Sequence, residues 1–392
     1  MGTRLRETLL LHGLRLLHKF DARQPAPNRL GTEAIRRILA ISSTAIGDTL
    51  LSTPALRSLR LAYPQAQISV LLNTDYMALF ANNPDIDEII PYAGGYRRFL
   101  RLACSLRRRH FDMVVILHGN EPQATPLAYL SGADFRFKLP NNNDFRFLLS
   151  NHEAEHGWDA FAHGIDQRLA VAALAGGAPT DHRMTLPVAK AHATALDQRL
   201  ASRGITGKTT LIGFQPGAST ISRRWSANNF AELGRRLLAR YPDCHLILTG
   251  SPKERKLTAG IAEAIASPRV WNTAGELPLA ELPALMQRLA LLVTGDTGPM
   301  HMAVAVDTPV IALFAVSDWQ CSGPPAGEKG SRHFVIQKWR TCVPCLSKRC
   351  PYAEPPCMAN ISVDEVETAV TDCLAGKPGR VSRASAPPEI FL

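Results

Sequence analysis

No apolar run in this 392-residue chain reaches the ~18–20 residues that would cross a bilayer as a helix. The short run Leu9–Leu11 is followed by no small-residue cleavage site, so no secretory signal is read and a cytoplasmic location is the expectation. A Walker A loop and a G-x-G-x-x-G fingerprint are both missing, which deprives kinase and dinucleotide readings of their central feature. Aromatic residues are few, at 7%, and form no stacking platform. With no DNA-reading motif either, nucleic acid is not an expected partner.

What is present describes a globular protein. Hydrophobic residues make up 46% and charged residues 20%, and the length suits two or three domains. The net charge of +10 calls for an anionic partner: nucleic acid, a membrane surface or a phosphorylated substrate. The excess is local. Met1–Ala40 carries eight Arg/Lys against three Asp/Glu, and Tyr96–His110 carries six arginines and no acid. Arg4–Phe20 places leucines at helical spacing among basic residues, which suits a helix lying on an anionic membrane or one packed on the protein's own body.

Eight cysteines fall into two groups. Four are scattered. Cys342, Cys345, Cys350 and Cys357 form C-x2-C-x4-C-x6-C with prolines between them, either a zinc or iron–sulfur site or a stiff loop with buried thiols.

Strand and helix patterns alternate twice along the chain, so two parallel sheets wound with helices are expected. The first series starts at the strand Arg36–Ile41, continues through helices at Thr49–Tyr63 and Thr74–Ala81, and reaches a strand at Met113–Leu117. Phe135–Trp158 reads as irregular. The second series starts at Thr209–Gln215 and ends in a helix at Val363–Leu374, with Lys377–Leu392 as a frayed tail. Ligands of such sheets sit beyond the strands' C-terminal ends. Leu289–Phe314 is the most informative stretch there: a strand, the loop Gly295–Pro299, a small-residue helix and another strand. A glycine-rich turn entering a helix N-terminus makes an anion site.

Around it gather donors suited to a diphosphate: Ser219, Arg223, Arg224, Thr297, Gly298 and His301. Glu254 and Asp296 suit ribose or sugar hydroxyls. The first series offers a lone carboxylate, Asp48, on the turn after its first strand. One base and one diphosphate grip suit group transfer with inversion, since a retaining enzyme would want a second carboxylate as nucleophile. Simpler roles fit the same residues: Asp48 as a helix cap, Arg223 and Arg224 as surface charges, Glu254 as a helix N-terminal charge.

Ile46–Leu56 (IGDTLLSTPAL), Pro216–Trp225 with its PGAS and RRW, and Asp296–His301 (DTGPMH) together resemble the heptosyltransferase family of bacterial lipopolysaccharide core assembly. The cysteine segment through Ile361 is similar to the tail of one branch of that family. The resemblance covers about Arg36–Leu374. It implies a GT-B fold: two Rossmann-like doubly wound parallel-sheet domains facing across a cleft, with the C-terminal helix returning to the N-terminal domain. The implied division is a basic leader and linker at 1–30, an acceptor-side domain at 31–185, a nucleotide-sugar domain at 186–360, and a crossover helix and tail at 361–392. It further implies an inverting enzyme with an ADP-heptose donor, a glycolipid acceptor, no cofactor and no metal in catalysis. By motif, Asp48 becomes the base; Ser219, Arg223, Thr297, Gly298 and His301 hold the phosphates; Asp296 meets the heptose, Glu254 the ribose, and the Leu277 backbone the adenine. Two departures stand out. The leader before residue 31 is outside the family pattern, and Ala315-Val316-Ser317-Asp318 replaces the usual Gly-Pro-Thr-Asp. The alternatives are a transferase of another nucleotide sugar to a different acceptor, or a non-catalytic binder of nucleotide or anionic surface. An enzyme of this kind is expected in the cytoplasm, peripheral on the inner membrane, with the leader on an anionic lipid face.

Overall fold

In the first half of the chain a run rich in Ile, Leu and Val recurs four times, and each run, like the short Phe135–Phe137, becomes a parallel strand. The computed structural model describes residues 3–21, 30, 34–119, 122–139, 144–151, 157–340, 342, 345 and 347–383. Their contacts divide into two units, Met1–Thr185 and Leu186–Leu392.

The strands of the first unit are β1 (Arg37–Ser42), β2 (Gln67–Asn73), β3 (Glu88–Tyr92), β4 (Met113–His118) and β5 (Phe135–Phe137), all parallel in the order β3-β2-β1-β4-β5. Its helices are α1 (Thr3–Lys19), α2 (Ile46–Leu51), α3 (Thr53–Ala62), α4 (Phe99–Arg107), α5 (Ala124–Leu130) and α6 (Gly164–Leu174). Side chains alternate along a strand. Leu39, Ile41, Val114 and Ile116 accordingly face one way, onto Phe99, Ala103 and Leu106 of α4 and Leu127 of α5. α3 packs along α6.

The helix expected over Thr49–Tyr63 is two helices. Pro54 has no N–H to give the Leu50 carbonyl, which accepts from the Thr53 hydroxyl at 2.7 Å instead. The stretch expected to be irregular begins with the edge strand β5, and Met77–Phe80 is a single 3-10 turn where a helix was expected.

The second unit has α7 (Lys190–Ser202), β6 (Thr210–Gln215), α8 (Ala227–Arg240), β7 (Cys244–Leu248), α9 (Arg255–Ile265), β8 (Val270–Asn272), α10 (Leu282–Arg288), β9 (Leu291–Gly295), α11 (Gly298–Ala305), β10 (Val310–Phe314), α12 (Trp319–Ser322), β11 (Phe334–Gln337), α13 (Pro356–Ala359), α14 (Val363–Leu374) and β12 (Val381–Arg383). Its parallel sheet runs β8-β7-β6-β9-β10-β11-β12.

The closing helix, expected to return to the first domain, packs on the second unit instead. Val366, Ala369 and Val370 of α14 share an apolar cluster with Trp225, Leu237, Phe334 and Ile336. Trp225 also donates its indole N–H to the Ile361 carbonyl at 2.8 Å. Part of the expected tail is ordered, since β12 pairs with β11. The expected linker lies outside the described residues over 22–29, as do 140–143 and 152–156 of the polar stretch and the tail over 384–392.

Candidate functional sites at the two sheet switch points

Both sheets reverse strand order beside their first strand, between β1 and β4 and between β6 and β9. Doubly wound sheets bind ligands at that reversal, beyond the strands' C-terminal ends.

In the first unit β1 ends at Ser42 and turns into α2, whose N-cap is Ala45. Asp48 therefore sits inside the first helical turn, after an N-cap with no side-chain capping bond. Its carboxylate has three close neighbours. Thr44 donates its hydroxyl at 2.9 Å, Arg168 of α6 lies at 3.0 Å, and His118 Nε2 at the end of β4 lies at 3.5 Å. Asp48 remains 31% exposed, whereas Arg168 is 2% exposed. Arg168 also donates to the carbonyls of Asp48 and Gly164 and to the Ser52 hydroxyl.

The positive groups beneath the carboxylate are buried, and burial acts on each. It pulls Arg168 down to about 10, against the pull of Asp48, and Lys138 down to about 8. His118 falls to about 4, through burial first and the Arg168 charge second, with Asp48 opposing. The imidazole is therefore neutral near pH 7. Because Thr44 gives its proton to Asp48, the 2.6 Å contact between Thr44 and His118 assigns the ring proton to Nδ1. Nε2 and an Asp48 oxygen then stand side by side as acceptors.

In the second unit the loop after β6 is folded on itself. Arg224 donates twice to the Ala218 carbonyl, at 3.1 and 2.8 Å, so this arginine holds the loop together. Arg223 closes a 3-10 turn and reaches Asp296 at 3.3 Å across to the loop after β9. The two loops meet backbone to backbone: a Cβ on Gly295 would lie 2.5 Å from the Arg223 carbonyl oxygen. Asp296 is buried and also accepts from Ser317 at 2.7 Å. Thr297 caps α11, accepting from the Met300 N–H at 3.4 Å, and Gly298 opens the helix. His301 is buried within the same helix.

The remaining expected site residues differ in setting. Glu254 reciprocally caps its own 3-10 turn with Ser251, and it also lies against the β6 loop, where a Cβ on Gly217 would meet its carboxylate at 1.8 Å. Ser219 is exposed on the loop, and Leu277 is half-buried in the bend after β8. The structure thus brings Arg223, Asp296 and Gly295 together directly, with Thr297, Gly298 and His301 on the adjoining helix. Among the described residues no three of His, Cys, Asp and Glu gather as a metal-ligand set, and no two cysteines form a disulfide. Cys357 is buried, which raises its thiol pKa.

Sequence reasoning missed Thr44, His118, Lys138 and Arg168, which lie on four separate elements or turns. It also missed Ser317, although its segment had stood out as atypical.

Comparison with known proteins gives these sites a setting. Residues 99–354 match glycosyltransferase family 9 (heptosyltransferase). Lipopolysaccharide heptosyltransferase 2 of Salmonella typhimurium is 27% identical over 308 residues, covering 75% of this chain and 86% of that one. Lipopolysaccharide heptosyltransferase 3 of Escherichia coli is 27% identical over 290 residues, covering 69% and 81%. Among solved structures, the family 9 glycosyl transferase of Veillonella parvula aligns with a TM-score of 0.73 at 23% identity, over 87% of this chain and 98% of that one. E. coli ADP-heptose LPS heptosyltransferase II aligns at 0.70 and 23%, over 87% and 99%. These likenesses show the GT-B type of fold, two Rossmann-like sheets in one chain. With the family match spanning well over half its length, the chain belongs to glycosyltransferase family 9, and it is a glycosyltransferase.

Proposed function

We propose that the chain is an inverting heptosyltransferase that moves a heptose from ADP-heptose to a hydroxyl of a lipopolysaccharide inner-core glycolipid. The observation that carries this reading is the anchored, partly exposed Asp48 at the first switch point. The acceptor hydroxyl gives its proton to Asp48 as its oxygen bonds to the anomeric carbon. The bond from that carbon to the phosphate oxygen breaks, and ADP leaves with the electron pair. Thr44 and Arg168 hold the carboxylate in one orientation, which is what a general base needs, and His118 stands beside it. Asp48 is the acid these three groups surround, and a single base favours direct displacement.

On the donor side, Arg223, the first N–H groups of α11 and His301 offset the charge on the departing diphosphate, with Ser219 adding a hydroxyl. Asp296 takes heptose hydroxyls, Glu254 the ribose, and the Leu277 backbone the adenine. The names of the relatives support a heptose and a lipopolysaccharide acceptor, and an E. coli heptosyltransferase structure holds ADP-2-deoxy-2-fluoro heptose. No helix among the described residues is long and apolar enough to cross a membrane. A glycolipid acceptor sits in a bilayer, so this reading also puts the enzyme on the cytoplasmic face of the inner membrane, attached through the leader helix α1.

The test is incubation of the purified chain with ADP-heptose and a heptose-acceptor glycolipid, read by mass spectrometry. The expected product is heavier by one heptose and is matched by released ADP. Release of ADP with no glycolipid product, or no reaction while a different nucleotide sugar is consumed, would overturn the reading.

A further inference from the structure

The helix α1 has two apolar faces. Leu10, Leu11 and Leu14 point inward, onto Tyr129, Phe145, Phe147 and Leu148. Leu9, Leu16 and Phe20, spaced i, i+7 and i+11, make an outer stripe with Leu17 beside it. All four are exposed, Phe20 by 83%. Arg6, Arg15 and Lys19 are exposed around the same helix.

A second feature lies in the same layer. Leu10 of α1 and Tyr96 and Leu102 beside and within α4 pack against one apolar cluster, so both helices cover the same face of the first sheet. At the start of α4, Arg97, Arg98 and Arg101 are exposed around Leu100, itself 73% exposed. With Tyr96 they line a shallow concavity. None of these three arginines makes an ion pair among the described residues, whereas Arg109 at the far end pairs with Glu88. Cations at a helix N-terminus oppose the helix dipole, and α4 has no acid in its first turn to relieve them. An arrangement that lowers local stability in isolation is one an anionic partner would complete.

We propose that α1 and the start of α4 form one docking surface for an anionic phospholipid bilayer, with the arginines on headgroup phosphates and the outer stripe of α1 in the acyl boundary. Exposed leucines beside unpaired arginines suit an interface that is charged outside and oily inside. A soluble phosphate would leave the stripe in water, and a nucleic acid would gain little from leucines. The proposal rests on the membrane attachment given above and not on the transfer chemistry, so vesicle binding and heptose transfer test different statements.

The experiment is co-sedimentation of the full chain with vesicles of phosphatidylglycerol and phosphatidylcholine, against pure phosphatidylcholine. Binding to the anionic vesicles alone, weakened by salt, is expected. Replacing Arg97, Arg98 and Arg101 together by Gln should lower partitioning roughly a hundredfold. Leu16→Ser with Phe20→Ser should lower it by roughly a hundredfold as well. Circular dichroism of both variants should match the parent, since every substituted side chain is exposed. Equal binding to both vesicle types would overturn the anionic docking surface, and no binding to either would overturn attachment with it. Unchanged binding by the triple-arginine variant, with loss only in the leader variant, would overturn the role of α4 and leave attachment standing. Displacement by millimolar inorganic phosphate at constant ionic strength would overturn the bilayer assignment in favour of a free anion.

Discussion

The two units share a strand order around their first strand, yet they assemble their switch points from different materials. In the first unit the site is made of side chains from distant parts of the chain: Thr44, Asp48, His118 and Arg168, with Lys138 buried nearby. In the second it is made mainly of backbone, where Gly295 lets one loop lie on another and α11 presents its first N–H groups. A buried cationic floor fixes one carboxylate, a task that needs side-chain charge. A diphosphate spreads its charge over many oxygens, and peptide N–H groups serve it well. On the proposed reading, the same topology supports a base on one sheet and an anion grip on the other.

The sharpest way to break this division of labour is Asp48→Asn. Turnover should fall about a thousandfold while ADP affinity, measured by calorimetry, stays as it was. A loss of tenfold or less would mean that the first unit does not supply the base. Next in size is Gly295→Ala. The new methyl would meet a backbone oxygen at 2.5 Å, so the loops must part, costing about 2 kcal/mol in a urea titration and weakening ADP binding as well. Unchanged ADP binding would show that loop-to-loop contact is incidental.

Arg223→Ala should lower ADP affinity about tenfold, with little change in stability because its pair with Asp296 is partly exposed. Unaltered calorimetric affinity would remove Arg223 from the donor site.

The last prediction spreads its effect over a pH range, and both units contribute. Burial pulls His118 in the first unit and His333 in the second down to about 4. As pH falls below the ordinary imidazole value near 6.5, the unfolded chain takes up protons that the folded chain refuses. The contribution of these groups to stability is therefore whole above about 6.5 and declines toward 4, by up to about 1.4 kcal/mol per pH unit for each ring. Melting temperatures across that range should show a shallower fall in His118→Gln and His333→Gln than in the parent.

This contrast also explains what could be read from sequence. The second site was legible because its residues are neighbours along the chain: Pro216–Trp225 and Asp296–His301 are each one loop, and a loop rich in glycine announces close backbone approach. Asp48 was legible for the same reason, as part of a strand-to-helix turn. His118, Lys138 and Arg168 were not, because nothing in the periodicity of β4, β5 or α6 marks them. A histidine ending a strand and an arginine on a helix become partners of Asp48 only when the parallel sheet aligns β1 with β4 and α6 reaches the end of β1. The place of α14 was missed for a related reason: its apolar face would suit either sheet, and the tie from Trp225 to Ile361 that keeps it on the second crosses more than a hundred residues.

The inward face of α1 carries a practical warning for anyone trimming the protein. Leu14, 2% exposed, roofs Tyr129, Phe145 and Leu148. A shortened chain starting after the leader would bare those side chains to water and invite clumping, and any change in its vesicle binding would say as much about a damaged scaffold as about the proposed docking surface. Surface replacements that leave the roof in place are the cleaner tool.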